Sequence, residues 1–285
     1  MKEKILRAVT RLIAPKLAAN MERGGTGGIT EFGAEAMEQY VEVEDRGSDV
    51  TIFSFAGLAA LYAGLPSFEF KKMLRSEGED YNLVFFRDIR RLCYHVTPDG
   101  EPGGLDFYEA SIREVMSRLG SRHNVAMGVS VGGSAALYFA AKCGMQQVIG
   151  FSPGYPLTVY CSPLNQMRTF FDLPRLVLHP KAYAELAFVT LGTGWSYRQL
   201  CRMLGEENLW PVLNAYKAAT PRPKATIFYG EKCRPDARQA DSFDGLAKVK
   251  KVPVPTVYHN CAGFLKDRGE LAKVIHQEIR DYSPN

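Results

Sequence analysis

Short apolar runs recur along the chain, and polar or amphipathic stretches separate them. Residues 49–57 (DVTIFSFAG) form one such run, almost continuously apolar and ending at Gly57. A strand buried on both faces of a parallel sheet has this pattern, because helices cover both faces. Residues 38–44 alternate instead, which predicts a half-buried strand. The remaining apolar runs are residues 81–88, 124–130, 147–153, 224–231 and 254–260.

Amphipathic stretches with helical spacing lie between several of these runs. Residues 105–119 place apolar side chains at roughly every third or fourth position, and residues 134–142 are mostly small and apolar. Strands that alternate with helices predict a parallel sheet covered on both faces. The predicted fold class is therefore α/β, with a mostly parallel central sheet and helices on both faces.

Residues 155–222 break this alternation. The stretch is rich in leucine, aromatic residues and prolines, and it is too long for an ordinary loop. We interpret it as a helical cap inserted over the C-terminal edge of the sheet, where ligands bind in open α/β folds. The core domain then comprises residues 29–154 and 223–285.

Residues 1–28 predict an amphipathic helix followed by a glycine-rich connector. Basic residues surround one apolar stripe, formed by Ile5, Val9, Leu12, Ile13 and Leu17. Such a helix could pack on its own domain, contact a second copy in a homo-oligomer, or lie on an anionic membrane surface. The segment has neither the continuous apolar stretch nor the cleavage site of a secretory signal. We therefore expect a cytoplasmic protein.

Charge and cysteine content exclude several classes of function. The formal net charge is +4 and the basic residues are dispersed, so we expect no nucleic-acid partner. The Lys248–Lys251 stretch is interpreted as a solvated face. Six cysteines occur without a C-x-x-C pair, which predicts free thiols and no zinc site.

The sequence Gly128-Val129-Ser130-Val131-Gly132-Gly133 carries the strongest chemical signal. It ends an apolar strand and opens a small-residue helix, which is the context of a G-x-S-x-G nucleophile elbow. Glycine-rich turns also bind phosphate in other α/β proteins. Here neither a P-loop nor a dinucleotide-binding motif is present, which favours Ser130 as a nucleophile.

A serine nucleophile needs a base, and the chain has only five histidines. His259 is the one that directly follows a late predicted strand, so we expect it to lean over the sheet edge toward Ser130. A carboxylate must then orient the imidazole. Asp236 follows strand 224–231 and is favoured, with Asp241 as the alternative. The chain order Ser, Asp, His fits this assignment.

The remaining candidates concern the oxyanion and the substrate. Val131 is expected to donate one backbone N–H to the developing oxyanion, and either Ala56 or Gly57 the other. Aromatic residues of the predicted cap are candidates for an apolar acyl pocket, although each of them could pack within the cap instead. These are Phe170, Phe171, Trp195, Tyr197 and Trp210.

Taken together, the elbow, the late aspartate and the final strand–His–helix unit resemble the α/β-hydrolase superfamily over roughly residues 38–283. A closer resemblance is to a poorly characterised group of bacterial hydrolase-like proteins. It rests on Phe86-Arg87-Asp88 with Tyr94, the elbow, Phe151-Ser152-Pro153, His259-Asn260 and Leu265-Lys266-Asp267-x-Gly269-x-Leu271.

The superfamily resemblance implies ester, thioester or amide hydrolysis, or acyl transfer, with no metal or other cofactor. We therefore expect a serine hydrolase that acts on a small-molecule ester or acyl substrate. An acyltransferase or thioesterase of a biosynthetic pathway remains an alternative. So does a binding protein that keeps the fold without turnover.

Overall fold

A computed structural model describes residues 39–58, 68–155, 158–206, 209 and 211–283. The predicted N-terminal helix and connector lie outside the described residues, and so does Trp210. The fold that follows is that of the described ranges.

Seven strands in the described ranges form one sheet. They are β1 (Val41–Glu44), β2 (Val50–Phe55), β3 (Asn82–Phe86), β4 (His123–Val129), β5 (Gln147–Phe151), β6 (Lys224–Gly230) and β7 (Val249–Val254). Their order across the sheet is β1-β3-β2-β4-β5-β6-β7. β1 pairs antiparallel with β3, and every other neighbouring pair is parallel. The predicted mostly parallel sheet is confirmed.

Helices connect the strands. In the described ranges they are α1 (Lys71–Ser76), α2 (Gly104–Leu119), α3 (Val131–Cys143), α4 (Thr158–Cys161), α5 (Pro163–Phe170), α6 (Leu173–Leu178), α7 (Pro180–Leu204), α8 (Val212–Ala218), α9 (Arg234–Asp241), α10 (Cys261–Asp267) and α11 (Leu271–Arg280). None of the described helices is both long and apolar enough to cross a bilayer.

The continuous apolar runs of the sequence arise because both faces of the sheet are covered. Alternate side chains of β2 point to opposite faces, so that Phe53 and Phe55 lie in one cluster and Ile52 in the other. The Phe53 cluster includes residues of α2, α3 and α8, and the Ile52 cluster includes residues of α1, α10 and α11. Each cluster buries apolar side chains on one face, as the doubly covered sheet predicts.

The last strand differs from the sequence prediction. Residues 254–260 were expected to form it, but β7 is Val249–Val254 and His259 lies in the loop beyond. The error arises because β7 is an edge strand. Lysine and proline are common in edge strands, where one side of the strand meets solvent. The Lys248–Lys251 stretch, interpreted as a solvated face, therefore contributes to the start of this strand.

In its described residues, the stretch predicted as a cap contains five helices, α4 to α8, between β5 and β6. α7 packs against α4, α5 and α6, whereas α8 packs against α3 and contributes Val212 and Tyr216 to a core cluster. The division of the chain into a core and a cap stays a prediction. What the fold does establish is that the carboxyl ends of β2 to β6 meet at one edge of the sheet, where Ser130 lies.

Candidate active site

Ser130 lies in a sharp turn between β4 and α3. Its backbone has φ 54° and ψ −123°, a conformation that side chains with a Cβ rarely adopt. Two backbone hydrogen bonds hold it there. The Ser130 N–H donates to Phe151 O at 2.9 Å, and the Gly154 N–H donates to Ser130 O at 2.8 Å.

The glycines of the turn are required by close backbone contacts. A Cβ at Gly128 would lie 2.3 Å from the carbonyl carbon of Gly132, and a Cβ at Gly132 would lie 2.1 Å from Phe55 O. Both distances are far below van der Waals contact. The G-x-S-x-G spacing is therefore a packing requirement that lets α3 approach β2 and β4 closely enough to form the turn.

His259 is hydrogen-bonded to Ser130 and to Asp236. Its Nε2 is 2.9 Å from Ser130 Oγ, and its Nδ1 is 2.7 Å from Asp236 Oδ1. For the Ser130 hydroxyl to donate to Nε2, the neutral imidazole must carry its proton on Nδ1 and donate it to Asp236. His259 and Asp236 are both buried, whereas Ser130 is partly exposed. The structure thus brings together the three side chains that sequence reasoning selected.

The sequence predicted that Asp236 lies in a loop, but it lies in the first turn of α9. Its Oδ2 accepts a hydrogen bond from Ser152 Oγ at 2.8 Å, which leaves Oδ1 to face His259. The alternative, Asp241, lies at the end of the same helix, and its side chain is 67% exposed. Its Oδ1 is 3.4 Å from Lys251 Nζ. The structure therefore separates Asp241 from the imidazole.

Helices of the inserted stretch hold the loop that carries His259. Glu185 of α7 accepts the Asn260 N–H at 2.6 Å. The buried Arg175 of α6 donates to Val257 O, while its Nε has no hydrogen-bond partner among the described residues. Two charged side chains from the insertion therefore fix the backbone on either side of the imidazole.

These neighbours also set the proton affinity of His259. Burial lowers its pKa, but the charge of Asp236 and its hydrogen bond, together with the charge of Glu185, outweigh that effect. Arg175 opposes them more weakly, and the net result is a pKa above the ordinary value for histidine. The imidazole is consequently a stronger base than a free histidine.

The backbone donors near Ser130 differ from the prediction. The Val131 N–H is in the first turn of α3 and has no carbonyl partner within the helix, so it can face an oxyanion. The Ala56 N–H donates to Phe86 O at 2.9 Å, which removes Ala56 as a donor. The Gly57 N–H donates to the carboxylate of Glu69. As the structure stands, both early-strand candidates are already engaged.

Glu69 joins the ends of β2 and β4 next to Ser130. Its carboxylate accepts the N–H groups of Gly57 and Val129, and its Oε2 is buried with no hydrogen-bond partner in the described ranges. Burial raises the pKa of Glu69 to about 7, and the two N–H donors offset only part of that increase. Glu69 therefore fixes the backbone at Gly57 while changing its charge near neutral pH.

A second buried carboxylate, Asp88, supports the backbone at the end of β2 from the side of β3. Asp88 accepts the N–H groups of Arg90 at 3.1 Å and Tyr94 at 3.0 Å, and burial raises its pKa to about 6. The stretch it holds is strained, since Arg91, Cys93 and Tyr94 all have positive φ. The Tyr94 hydroxyl donates to Ala56 O at 2.8 Å, which ties this stretch to the end of β2.

The predicted pocket aromatics differ in their exposure. Phe171 is 73% exposed and Trp195 is 36% exposed. Tyr197 packs against a core cluster, and Phe170 is partly buried with its carbonyl bonded to Tyr183. Trp210 lies outside the described residues. The acyl-pocket assignment of these aromatic residues stays a prediction.

Sequence reasoning missed four residues that complete the site: Ser152, Glu69, Glu185 and Arg175. Ser152 follows β5 at the sheet edge where the nucleophile lies, so its position could have indicated a role beside Asp236. The other three lie in stretches whose packing no local pattern reveals. Within the described ranges, no group of three or more His, Cys, Asp or Glu side chains is arranged to hold a metal ion.

Sequence comparison finds no relatives, since neither a protein-family model nor a curated protein sequence matches the chain. Solved structures do resemble it. The capsule O-acetyltransferase of Neisseria meningitidis serogroup A matches with a TM-score of 0.50 at 14% identity, over 84% of this chain and 92% of that one.

Two further solved structures have the same degree of similarity. An α/β-hydrolase enzyme from a Medee basin deep-sea metagenome library matches with a TM-score of 0.50 at 13% identity, covering 82% of this chain and 91% of its own. A structure from a study of Nitrososphaera gargenis carboxylesterases matches with a TM-score of 0.50 at 11% identity, over 85% of this chain and 93% of that one. At these identities the likeness establishes the fold, and it confirms the α/β-hydrolase architecture that the sequence predicts.

Glu69→Gln should make stability less dependent on pH. A carboxyl group whose pKa is higher in the folded chain stabilises the fold below its unfolded pKa of about 4.3. This stabilisation is lost as pH rises through about 7. Glutamine can accept the same two N–H groups without ionising. Between pH 5 and pH 8, the free energy of unfolding of the variant should rise relative to that of the parent chain by about 2.5 kcal/mol, measured by denaturant unfolding.

Glu77→Gln is the matched control, because Glu77 is an exposed carboxylate just beyond α1. Its difference from the parent chain should not grow over the same interval. A constant difference for Glu69→Gln as well would contradict the burial of an ionisable group at this position.

Proposed function

We propose that this chain, which has the α/β-hydrolase fold, is a serine hydrolase that cleaves an ester or thioester through an acyl-enzyme. One observation carries the proposal. The Ser130 hydroxyl is 2.9 Å from His259 Nε2, whose other ring nitrogen is 2.7 Å from the buried Asp236. A hydroxyl, a base and an orienting carboxylate in this order can convert an alcohol into a nucleophile.

In the proposed reaction, Ser130 Oγ attacks the carbonyl carbon of the substrate while His259 Nε2 accepts the hydroxyl proton. Asp236 holds the imidazole in the required tautomer and stabilises the imidazolium that forms. His259 then gives its proton to the leaving alcohol or thiol, and the acyl group stays on Ser130. In the second half-reaction His259 accepts a proton from water as the water attacks the acyl-enzyme. The acyl–Ser130 bond then breaks, His259 returns the proton to Ser130 Oγ, and the carboxylic acid leaves.

The oxyanion requires two donors. Val131 supplies one, because its N–H is unbonded within α3 and adjoins the nucleophile. Since the Ala56 and Gly57 N–H groups are engaged, we assign the second to Leu58, the next backbone N–H along the loop. In this arrangement Glu69 and Asp88 are positioning residues that fix the preceding backbone.

Acyl transfer to an alcohol or thiol is the second candidate, and it differs only in what attacks the acyl-enzyme. The likeness to both a capsule O-acetyltransferase and a carboxylesterase structure supports keeping it, because the fold serves both outcomes. A binding role without turnover is the third reading, and the reactivity of Ser130 distinguishes it from the other two.

Ser130→Ala should reduce hydrolysis of an activated ester, such as a p-nitrophenyl acetate, by about 10⁴-fold or more, because the nucleophile is lost. The parent chain should react with a fluorophosphonate at Ser130, detected by mass spectrometry of the labelled peptide, and the variant should not. Circular dichroism checks that the fold is intact. A parent chain whose Ser130 is unreactive while folded would favour the binding role.

The pH dependence of kcat/KM should have a rising limb with its midpoint above the ordinary histidine value of about 6.5, since only neutral His259 can accept a proton. Its raised pKa sets that direction. Glu185→Gln removes a negative charge that favours the imidazolium, so the limb should move to lower pH. Asp241→Asn, which removes a distant exposed carboxylate, is the control and should leave the limb in place. A limb unmoved in Glu185→Gln would contradict the coupling.

Product analysis should distinguish hydrolysis from transfer. With an activated ester and a competing alcohol or thiol acceptor at millimolar concentration, the hydrolase proposal predicts free acid as the main product by liquid chromatography–mass spectrometry. Acylated acceptor as the main product would instead establish the transferase. Ser130→Ala is the control and should yield neither above the uncatalysed background.

A further inference from the structure

We infer that the outer face of residues 163–204 is a docking surface for an anionic phospholipid bilayer. This segment contains α5, α6 and α7. Every large hydrophobic side chain that is exposed in the described part of the chain lies within it. They are Leu164, Met167, Phe171, Leu173, Leu176, Val177, Leu178, Leu191, Trp195 and Met203.

The exposed apolar side chains are concentrated at one end of the segment. Phe171, Val177 and Leu178 are 73%, 75% and 71% exposed, and seven of the ten side chains lie between residues 164 and 178. Isolated exposed hydrophobic residues are ordinary on soluble proteins, but a concentration of this kind marks a contact surface. The described helices themselves leave it uncovered, although α7 packs against both α5 and α6.

Charge on the same segment identifies the partner. Residues 163–204 hold five basic and two acidic side chains, a net formal charge of +3 on this segment. Four of the basic residues are exposed, namely Arg168, Lys181, Arg198 and Arg202. Neither of the two acidic residues, Asp172 and Glu185, is exposed. Asp172 caps α6 through the Arg175 N–H, and Glu185 accepts the Asn260 N–H.

The segment therefore has two different faces. Its inner face carries Glu185 and holds the loop of His259, while its outer face combines apolar side chains with exposed cations. A bilayer with anionic headgroups matches that outer face, because apolar side chains enter the acyl boundary and the cations pair with headgroups. An uncharged partner would not use the cations.

Charge also disfavours the two occupants that the chain itself could supply. Residues 1–20 are amphipathic but carry five basic residues against one acidic residue. A second copy of the chain would present the same positive outer face. Either would bring cations against cations, whereas an anionic bilayer would attract both the segment and the N-terminal residues.

The proposal is tested on the full chain by cosedimentation with phosphatidylcholine vesicles that contain or lack phosphatidylglycerol. We expect binding to the anionic vesicles, and a decrease in binding as salt rises because screening weakens the headgroup contacts. Phe171→Ser/Val177→Ser/Leu178→Ser should weaken binding by at least about tenfold, since the lost apolar side chains drive insertion.

Arg168→Ser/Lys181→Ser tests the charge contribution and should weaken binding by about tenfold or more. Lys266→Ser/Lys273→Ser is the matched control, because it removes two exposed cations outside the segment. It should bind like the parent chain. The melting temperature checks that each variant is folded. We expect all of them to fold, because the substituted side chains are exposed.

A spectroscopic measurement separates the segment from the N-terminal residues. The chain has two tryptophans, Trp195 in the segment and Trp210. In a Trp210→Phe background, vesicles with brominated acyl chains should quench the fluorescence of Trp195. Vesicle binding by the triple serine variant at parental affinity, or an unquenched Trp195, would overturn the proposal and assign binding to residues 1–20. Absence of vesicle binding by the parent chain would also overturn it, as would self-association that the triple serine variant abolishes.

Discussion

The strained backbone at Ser130 is the constraint on which the rest of the site depends. A non-glycine residue at positive φ costs on the order of 1–3 kcal/mol, so the surrounding structure must offset it. It does so by close packing of glycines at 128 and 132 and by hydrogen bonds that join the turn to β5. Once the turn is fixed, the hydroxyl stands clear of both strand and helix. Every other group of the site is placed relative to it.

Much of this could be predicted from sequence, for reasons that differ between elements. The central strands were clear because burial on both faces leaves continuous apolar runs, and the elbow was clear because its glycines are sterically required. β7 was misplaced because an edge strand with Lys250, Lys251 and Pro253 lacks that signature. His259 was still selected, because it lies near the C-terminal end of the last strand under both the predicted and the observed strand bounds.

The missed residues share one property. Glu69, Glu185 and Arg175 reach the site through tertiary packing, and neither local periodicity nor spacing encodes a partner that lies far away in the chain. Phe171 and Trp195 were candidates for an acyl pocket because they belong to the predicted cap, and both side chains are exposed in the structure. Composition alone does not reveal which face of a helix meets the core. The sequence also could not predict that the Ala56 N–H is already hydrogen-bonded, because its acceptor, Phe86 O, belongs to β3.

The helices between β5 and β6 also contact the loop that carries His259. Glu185 and Arg175 hold the backbone on both sides of His259, and their opposite charges act on its imidazole in opposite directions. The stretch between β5 and β6 is therefore not an interchangeable module. Grafting the corresponding stretch from another protein of this fold onto this sheet would release the histidine loop, unless those two anchors were transplanted with it.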